Sequence, residues 1–455
     1  MESKIKCRIA AILLAFSMLA LNGISINPDL SNYLINLSEG AEGVGYDDKV
    51  PEIVISGNTV HVVWTQGPPS YTGVSALYYR RSADLGKTWE APRKLMTFKD
   101  RNYGIQVDSR RLAVDGDGVH ISTADYDYAA GGIGRVHYFR SLNGGVTFEG
   151  ERILAATSGG YKAIDNGFIK ASGGKVVVTY QGTGDKKGTW ALYSSNSGAT
   201  FTETKILDES DYIADLYFEG GQMIVLHGYY ATSYGYITVG KVWVSTSQNG
   251  TSFTTIKVSP AFFSNNTEKE RCYVVHGDHY SSKIARSGNN IHVVFTGYGE
   301  GDVWATFYAR SINGGNSFET ARNIGALSPE SLQNGSETVA AKNGKAYLLA
   351  ATTYPTNNNT GNYFYFSWSH DNGNTFSEMR RIMNPDISHV GKSSLPGITF
   401  DPTDETGNSL YLTGNWLFSI KSVDGGQSFS GSTSLAPFLK SNIVNMSHGY
   451  MNSYM

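Results

Sequence analysis

Cysteine is almost absent from this sequence, and its two copies are separated by a predicted cleavage point. Cys7 precedes an apolar N-terminal segment, so Cys272 is the one cysteine that follows it. Removal of that segment would leave no partner for an internal disulfide. The fold of an exported chain would then depend on packing between its secondary-structure elements.

Charge is also sparse, because charged residues make up 17% of the chain and the formal net charge is −3. The sequence contains no long run of Lys or Arg. Nucleic-acid-binding proteins need a basic surface, so we expect no nucleic-acid partner. With no recognisable cofactor motif either, we expect no cofactor and no metal.

Long apolar runs are missing as well. Residues 9–21 form an apolar stretch of thirteen positions that follows Lys4, Lys6 and Arg8. This stretch is too short for an ordinary transmembrane helix and is typical of a secretory signal. We therefore predict a signal peptide over residues 1–25, with an uncleaved N-terminal anchor as the alternative. The expected location is secreted, cell-surface or periplasmic, without stable membrane insertion after cleavage.

What the sequence has in abundance is glycine, with 52 copies, tyrosine, with 29, and one repeated octamer. The first octamer, Ser82–Trp89, reads SADLGKTW. Each copy has Gly at the fifth position and an aromatic residue at the eighth, and the copies begin 52 to 65 residues apart. The other six are SLNGGVTF (141–148), SSNSGATF (194–201), TSQNGTSF (246–253), SINGGNSF (311–318), SHDNGNTF (369–376) and SVDGGQSF (422–429).

The octamer has the composition of a tight turn. Asp or Asn at the third position can accept hydrogen bonds from nearby backbone N–H groups, and Gly can adopt a positive φ. Aligned in this way, the fourth copy has Gln248 at the third position. Seven copies in register predict a repeat architecture, with one four-stranded antiparallel sheet in each unit.

These octamers resemble the Asp-box, or bacterial neuraminidase, repeat found in sialidases and in other β-propellers. The resemblance covers nearly all of the chain after about residue 45. It implies an all-β, seven-bladed β-propeller with an Asp-box turn in every blade. It says little about function, because the box is a structural turn on the face opposite the family's active sites.

Alternating apolar residues place four strands in each unit, and in unit one these are 51–55, 60–64, 76–81 and 92–96. We predict one propeller domain over residues 46–439, an N-terminal segment over 26–45 and a tail over 440–455. Within the N-terminal segment, Tyr33–Leu37 could supply the outer strand of the last blade and close the ring. Ser432–Leu439 competes for that position.

Loops opposite the octamers are rich in Tyr and Asp, an arrangement suited to sugars, which stack on aromatic rings and bond to carboxylates. Loops on a rigid scaffold often carry function, so we expect glycan or polysaccharide recognition on this face, by a monomer. The His276–His279 loop is the most distinctive insertion, and a metal site there is a less favoured alternative to an ordinary ordered loop. The predicted binding residues are Tyr126, Tyr128, Tyr229, Tyr230, His276 and His279.

Several His and Arg residues follow the repeat itself. His61, His120 and His292 each occupy the second position of a second strand, so we interpret them as structural. A second set lies one residue before an octamer and is interpreted as surface consensus. This set contains Arg81, Arg140, Arg310 and Lys421.

The resemblance to sialidases implies three arginines that clamp a carboxylate, a Tyr nucleophile with a Glu partner, and an Asp acid/base. Asp125 or Asp127 is the candidate acid, and Tyr298 or Tyr354 is the candidate nucleophile. Where the family has Arg-Ile-Pro, this chain has Lys49-Val50-Pro51. A lysine cannot form the bidentate fork of an arginine, which argues against sialidase activity. The clamp candidates are Arg101, Arg110, Arg111, Arg271 and Arg286.

A second enzymatic interpretation is a polysaccharide lyase, because some ulvan lyases resemble seven-bladed propellers with a Tyr/His pair and an Arg or His. Candidate groups here are His137, Tyr180, Tyr230 and Arg271. The favoured hypothesis is a non-enzymatic one, an exported propeller that binds carbohydrate or acts as a scaffold. Hydrolase and lyase activity remain the alternatives, because this fold supports many functions.

Overall fold

The structure is a computed structural model that describes the chain in segments. These segments are 47–67, 75–98, 111–127, 129–158, 164–208, 212–233, 236–260, 262–264, 267–269, 272–273, 283–298, 304–327, 335–353, 362–383, 397–400, 404–414, 418–434 and 452–453. The chain divides into two compact units. Unit 1 contains residues 1–203 and 437–455, and unit 2 contains residues 204–436.

Unit 1 contains three antiparallel sheets, each built from consecutive strands. Sheet 1 contains β1 (Asp47–Ser56), β2 (Thr59–Gly67), β3 (Ala76–Ser82) and β4 (Arg93–Thr97). Sheet 2 contains β5 (Leu112–Asp115), β6 (Gly118–Asp127), β7 (Ile133–Ser141) and β8 (Arg152–Thr157). Sheet 3 contains β9 (Ile164–Ser172), β10 (Lys175–Gly182), β11 (Gly188–Ser194) and β12 (Thr202–Leu207), with a 3-10 helix at Gly184–Lys186.

Unit 2 contains four more such sheets and a short hairpin of β17 (Phe262–Ser264) and β18 (Thr267–Lys269). Sheet 4 contains β13 (Tyr212–Glu219), β14 (Gln222–Ser233), β15 (Tyr236–Ser247) and β16 (Thr254–Lys257). Sheet 5 contains β19 (Cys272–Tyr273), β20 (Lys283–Ser287), β21 (Asn290–Tyr298), β22 (Trp304–Ser311) and β23 (Arg322–Asn323), and a 3-10 helix follows at Gly325–Leu327. Sheet 6 contains β24 (Gly335–Lys342), β25 (Lys345–Thr353), β26 (Asn362–Ser369) and β27 (Arg380–Met383). Sheet 7 contains β28 (Gly397–Phe400), β29 (Leu410–Gly414), β30 (Phe418–Ser422) and β31 (Ser430–Ser434).

The predicted all-β fold with seven four-stranded antiparallel sheets is therefore confirmed, and two of the sheets carry one short extra strand, β19 in sheet 5 and a C-terminal strand in sheet 1. Within each unit the first strands of successive sheets contact one another, as β1 contacts β5 and β20 contacts β24. Carboxylates reinforce these contacts by accepting hydrogen bonds from the next sheet's backbone. Asp115 accepts one from Gly174 N at 2.7 Å, and Asp215 accepts one from Ile284 N at 3.0 Å.

The octamers form the predicted side-chain-bonded turns. In sheet 1, Ser82 Oγ accepts from Gly86 N at 2.8 Å, while Asp84 accepts from Thr88 N at 2.8 Å and from its hydroxyl at 2.6 Å. These hydrogen bonds, led by the one from the Thr88 side chain, lower the pKa of Asp84 to about 2. Gly86 has a φ of +85°, which a glycine adopts without a Cβ clash.

Each described octamer turn lies at the same end of its sheet as the turn between the first two strands. Gly144 N, for example, donates to Asp117 O at 2.8 Å, and Ser197 N donates to Gly174 O at 2.7 Å. We call this the octamer end of a sheet. The connection between the second and third strands lies at the opposite end, which we call the loop end.

The fourth octamer differs from its predicted alignment. Ser247 Oγ accepts from Gly250 N at 2.9 Å, and Asn249 Oδ1 accepts from Ser252 N at 3.1 Å. The turn is therefore one residue shorter than the others, and Asn249, rather than Gln248, has the Asp-like role. The alignment on Thr246 and Gln248 was wrong because glycine and aromatic positions alone do not reveal a deletion before the glycine.

The octamer of one sheet packs against the preceding sheet. Phe148 contacts Tyr79 edge-on at 4.8 Å between ring centroids, and Phe201 contacts Tyr138 in the same way at 5.0 Å. Large buried aromatic rings fill the space between sheets 2 and 3, including Tyr138 and Tyr180. The core of each unit is therefore a series of apolar layers between neighbouring sheets.

The arginines before the octamers are not simple surface residues, and that interpretation was wrong. Arg140 bonds to both carboxylate oxygens of Glu149, at 3.0 and 2.6 Å, and its Nη1 donates to Ser197 O of the next sheet at 3.1 Å. Arg310 repeats the arrangement with Glu319 and with Asn372 O at 3.0 Å. These residues link adjacent sheets, a role that depends on partners far away in the sequence.

Two strands bear on the predicted ring closure. The outer strand of sheet 7 is β31, Ser430–Ser434, which pairs with β30 and overlaps the predicted Ser432–Leu439 candidate. A two-residue strand in the C-terminal tail, β32 (Asn452–Ser453), pairs in parallel with β1. The competing candidate, Tyr33–Leu37, lies outside the described residues.

Candidate functional site

A polar cluster lies at the loop end of sheet 2, on the β6–β7 hairpin. Asp125 of β6 pairs directly with Arg135 of β7, and Asp127 pairs with Ile133 at the hairpin's end. Alternation along a strand puts Arg135 and His137 on the same side of β7. The hairpin therefore brings two carboxylates, a guanidinium and an imidazole together.

Arg135 lies between the two predicted acids. Its Nη1 is 3.8 Å from Asp125 Oδ1 and 3.6 Å from Asp127 Oδ2. The Arg135 and Asp127 side chains are 24% and 19% exposed, whereas Asp125 is 1% exposed. A ligand can thus approach Arg135 and Asp127 from solvent, while Asp125 supports them from beneath.

His137 connects this buried carboxylate with one that faces solvent. Its Nε2 lies 3.0 Å from Asp125 Oδ1, and its Nδ1 lies 2.5 Å from Glu151 Oε1. The His137 side chain is 5% exposed and that of Glu151 is 41% exposed. The contact with Glu151 is a hydrogen bond, whereas His137 Nε2 and Asp125 Oδ1 approach each other without hydrogen-bond geometry.

Arg111, a predicted clamp residue, is held within the sheets. It is buried, and its Nη1 donates to the hydroxyl of Thr65 in sheet 1. The Glu52 carboxylate accepts from the backbone N–H groups of Arg111 and Leu112. These contacts join sheets 1 and 2, so the geometry gives Arg111 a structural role in place of the predicted one.

The predicted binding residue Tyr126 is also buried. It is 1% exposed and packs in the core between sheets 2 and 3. Its ring is therefore not a surface platform for a sugar. The alternation of β6 explains this, because Asp125 and Asp127 point to one side of the sheet and Tyr126 to the other.

The remaining predicted residues are located only in part. The backbones of Tyr229 and Tyr230 lie in β14, opposite Lys241 and Gly240, and that of Tyr298 ends β21, opposite Trp304. Seven predicted residues lie outside the described segments. These are Arg101, Arg110, Tyr128, Arg271, His276, His279 and Tyr354.

Tyr180, a candidate for proton abstraction, does not have the properties of a base. It is fully buried, and its hydroxyl donates to Glu203 Oε1 at 2.5 Å. Burial, followed by that hydrogen bond, raises the pKa of the phenol well above its usual range. The phenol therefore stays protonated at neutral pH.

Arg135 and Glu151 are cluster members that the sequence did not predict. The third strand of the second sequence repeat, which forms sheet 2, was expected to begin at Val136, one residue after Arg135. The place of Arg135 opposite Asp125 depends on the hairpin register, which the predicted strand ends do not fix. No sequence signal identifies Glu151 either, because its approach to His137 depends on the irregular pairing of β7 with β8.

Two features are absent from the described segments. No group of three or more His, Cys, Asp or Glu side chains in them has the geometry of a metal site. None of their helices has the length and apolar character to cross a membrane.

No protein-family model matches this chain, and no curated protein sequence matches it.

Several solved structures are similar in fold. A polysaccharide lyase of family PL25, an ulvan lyase, is 13% identical with a TM-score of 0.47, over 84% of this chain and 93% of the lyase. YCF48 bound to D1 peptide is 13% identical with a TM-score of 0.42, over 84% and 98% of the two chains. The Trypanosoma rangeli sialidase is 11% identical with a TM-score of 0.36, over 69% and 54%. Identity and TM-score are low in all three, so the functional argument rests on this chain's own residues.

Proposed function

We propose that this chain is an exported seven-bladed β-propeller that binds carbohydrate at the loop end of sheet 2. The observation that carries the proposal is the position of Arg135 between Asp125 and Asp127, with Arg135 and Asp127 open to solvent. Carboxylate and guanidinium groups bond well to sugar hydroxyls, and Arg135 would also pair with an acidic sugar.

Seven consecutive sheets with one octamer turn each support the propeller architecture, as do the adjacent first strands within each unit. In this proposal, residues 46–439 form the propeller and residues 440–455 form a tail. Residues 1–25 are a signal peptide and residues 26–45 an N-terminal segment. The protein works outside the cytoplasm as a monomer.

Binding is favoured over catalysis because two of the predicted catalytic groups are buried. Asp125 is 1% exposed, and Arg111 is buried against Thr65. A clamp or acid has to reach its substrate, whereas the side chains of Asp125 and Arg111 face the protein interior. In addition, Lys49 replaces the first arginine of the sialidase clamp.

One observation favours an enzyme as the second candidate. His137 lies between solvent-facing Glu151 and buried Asp125, an arrangement of the kind found in acid/base sites. In a glycoside hydrolase of sialidase type, Asp125 would be the acid and His137 its neighbour. In a lyase, His137 would belong to the proton-abstracting set.

A glycan screen on purified residues 26–455 tests the proposal. The screen would include sialosides, neutral glycans and acidic polysaccharides, and it would score both binding and product release. We expect binding without turnover. Released sialic acid would favour the hydrolase, and an unsaturated product that absorbs in the ultraviolet would favour the lyase. Failure to bind any glycan would contradict the carbohydrate proposal.

A further inference from the structure

A second polar cluster lies in sheet 3 and involves none of the residues discussed for the sheet 2 site. Tyr180 of β10 and Trp190 of β11 are cross-strand neighbours whose rings stack at 6.1 Å and 4°. Lys186 Nζ lies 5.4 Å from the centroid of the Trp190 ring. A cation over an indole face is a favourable contact.

Glu203 of β12 completes the surroundings of this ammonium. Lys186 Nζ donates to Glu203 Oε1 at 2.7 Å and to Oε2 at 2.6 Å. The Tyr180 hydroxyl donates to the same carboxylate at 2.5 Å. The ammonium is thus surrounded by an indole face and a carboxylate, and a phenol fixes the position of the carboxylate.

Lys186 reaches this position on a short turn, Gly184–Lys186. The turn is held through its backbone, because Trp190 Nε1 donates to Lys186 O at 3.0 Å. It is also held by Asp185, which accepts from Ser158 N at 2.9 Å and from the Thr157 hydroxyl. The position of the turn therefore does not depend on the Lys186 ammonium alone.

The ammonium itself lies at the solvent edge. The Lys186 and Glu203 side chains are each 29% exposed. Ion pairs with this much exposure contribute little net stability. Displacement of the Lys186 head group by another cation would therefore cost the fold little.

We propose that Trp190, Glu203 and Tyr180 form a binding site for a primary ammonium group of a ligand, and that Lys186 is its internal occupant. The ligand class is an amino sugar, whose C–H face can stack on Trp190 while its ammonium pairs with Glu203. This inference goes beyond the proposed function, because it concerns a different sheet, different residues and a ligand of opposite charge.

An internal occupant weakens external binding by competition. A tethered group acts at an effective concentration in the millimolar range, so a free ligand has to displace it. Removing the Lys186 charge should therefore increase the affinity for an ammonium ligand. The Lys186→Met variant keeps an unbranched side chain at this position and removes the charge that competes for Glu203.

The test is calorimetric titration of wild type and Lys186→Met with a glucosamine tetramer. The same tetramer in its N-acetylated form, which has no ammonium, is the ligand control. The neighbouring exposed Lys187 provides the matched variant, Lys187→Met. We expect Lys186→Met to bind the glucosamine tetramer about tenfold more tightly than wild type and Lys187→Met.

The double variant Lys186→Met/Glu203→Gln should lose this gain, because the carboxylate is then neutral. Equal affinity of wild type and Lys186→Met would overturn the proposal, as would equal binding of the two tetramers. Thermal unfolding verifies that each variant is folded. The sheet 2 proposal is tested separately, with the Arg135→Gln variant, so either proposal can fail alone.

Discussion

In sheet 2, Nδ1 of His120 lies 2.7 Å from the hydroxyl of Tyr138, and both side chains are buried. The same hydroxyl faces Gly198, in the octamer of sheet 3, where a Cβ atom would overlap with it. Two further pairs, His61–Tyr79 and His292–Tyr308, repeat the 2.7 Å contact. In each case the tyrosine faces an octamer glycine of the next sheet, Gly145 or Gly373.

Gly198→Ala should therefore destabilise the protein more than an ordinary glycine substitution. Gly198 has a φ of +75°, which costs an alanine about 1–2 kcal/mol, and the overlap with Tyr138 adds about 1–3 kcal/mol. Gly173→Ala is the matched control, since Gly173 has a φ of +60° and open space around the added Cβ. The urea midpoint of Gly198→Ala should lie well below that of Gly173→Ala. Equal midpoints would contradict the packing described here.

Stability should fall in mild acid because of the three buried histidines. Burial, with a smaller contribution from nearby arginines, lowers the pKa of His61, His120 and His292 from 6.5 to about 4. Between pH 6.5 and pH 4 the unfolded chain binds protons that the folded chain does not. The free energy of unfolding should therefore decrease as the pH falls through this window.

The contribution of one histidine can be isolated with His120→Gln. This variant should bind about one proton fewer on unfolding. The slope of its free energy of unfolding against pH should therefore be smaller by about 1.4 kcal/mol per pH unit near pH 5. Urea unfolding from pH 4 to pH 7 measures both slopes. Parallel curves for the variant and wild type would mean that His120 is not held neutral.

Arg140→Lys should destabilise the link between sheets 2 and 3. A lysine ammonium is a single point of charge and cannot reproduce the planar fork whose separate nitrogens bond to Glu149 and to Ser197 O, so we expect a loss of about 1–2 kcal/mol. Asp208→Ala is the control, because Asp208 is 94% exposed in its ion pair and should change stability by less than about 0.5 kcal/mol. If both variants unfolded at the wild-type midpoint, Arg140 would be an ordinary surface residue.

Asn249→Ala and Gln248→Ala test the shortened turn of sheet 4. Asn249 Oδ1 accepts from Thr251 N at 3.0 Å and from Ser252 N at 3.1 Å, so its loss should cost about 1–2 kcal/mol. Gln248 is exposed and its replacement should have little effect. Thermal unfolding of the two variants compares adjacent positions directly. A larger effect at Gln248 would restore the alignment made from sequence.

The periodic part of this fold could be predicted because turns and strands are local. The octamers located the turns of seven sheets, and in sheet 1 the predicted 60–64 strand lies within Thr59–Gly67. The fourth octamer was misaligned because only the hydrogen bonds of Ser247 and Asn249 identify them as the turn's Ser and Asp-like residues. The glycine and aromatic positions, on which the alignment was based, do not determine those bonds. The roles of Arg140 and Arg310 depend on the neighbouring sheet, which no local pattern specifies.

The candidate site was predictable to a smaller extent. Asp125 and Asp127 lie at the loop end of sheet 2, and both flank Arg135. Arg135 was missed because its place opposite Asp125 depends on the hairpin register, which approximate strand boundaries do not fix. The burial of Tyr126 was not predicted. Both sides of a strand that lies between two sheets carry apolar residues, so the sequence does not show which residues are covered. Arg111 has the composition of a clamp residue, and only its contact with Thr65 shows that it is engaged.

The most direct test of the central claim is a titration of the best glycan from the screen against wild type, Arg135→Gln and Leu142→Ser. Leu142 is 53% exposed in the octamer of the same sheet, so it controls for changes at the opposite end. We predict that Arg135→Gln weakens binding at least about tenfold, as loss of a charge-assisted contact should, while Leu142→Ser leaves it unchanged. Unchanged affinity of Arg135→Gln, or a loss confined to Leu142→Ser, would contradict a carbohydrate site at the loop end of sheet 2.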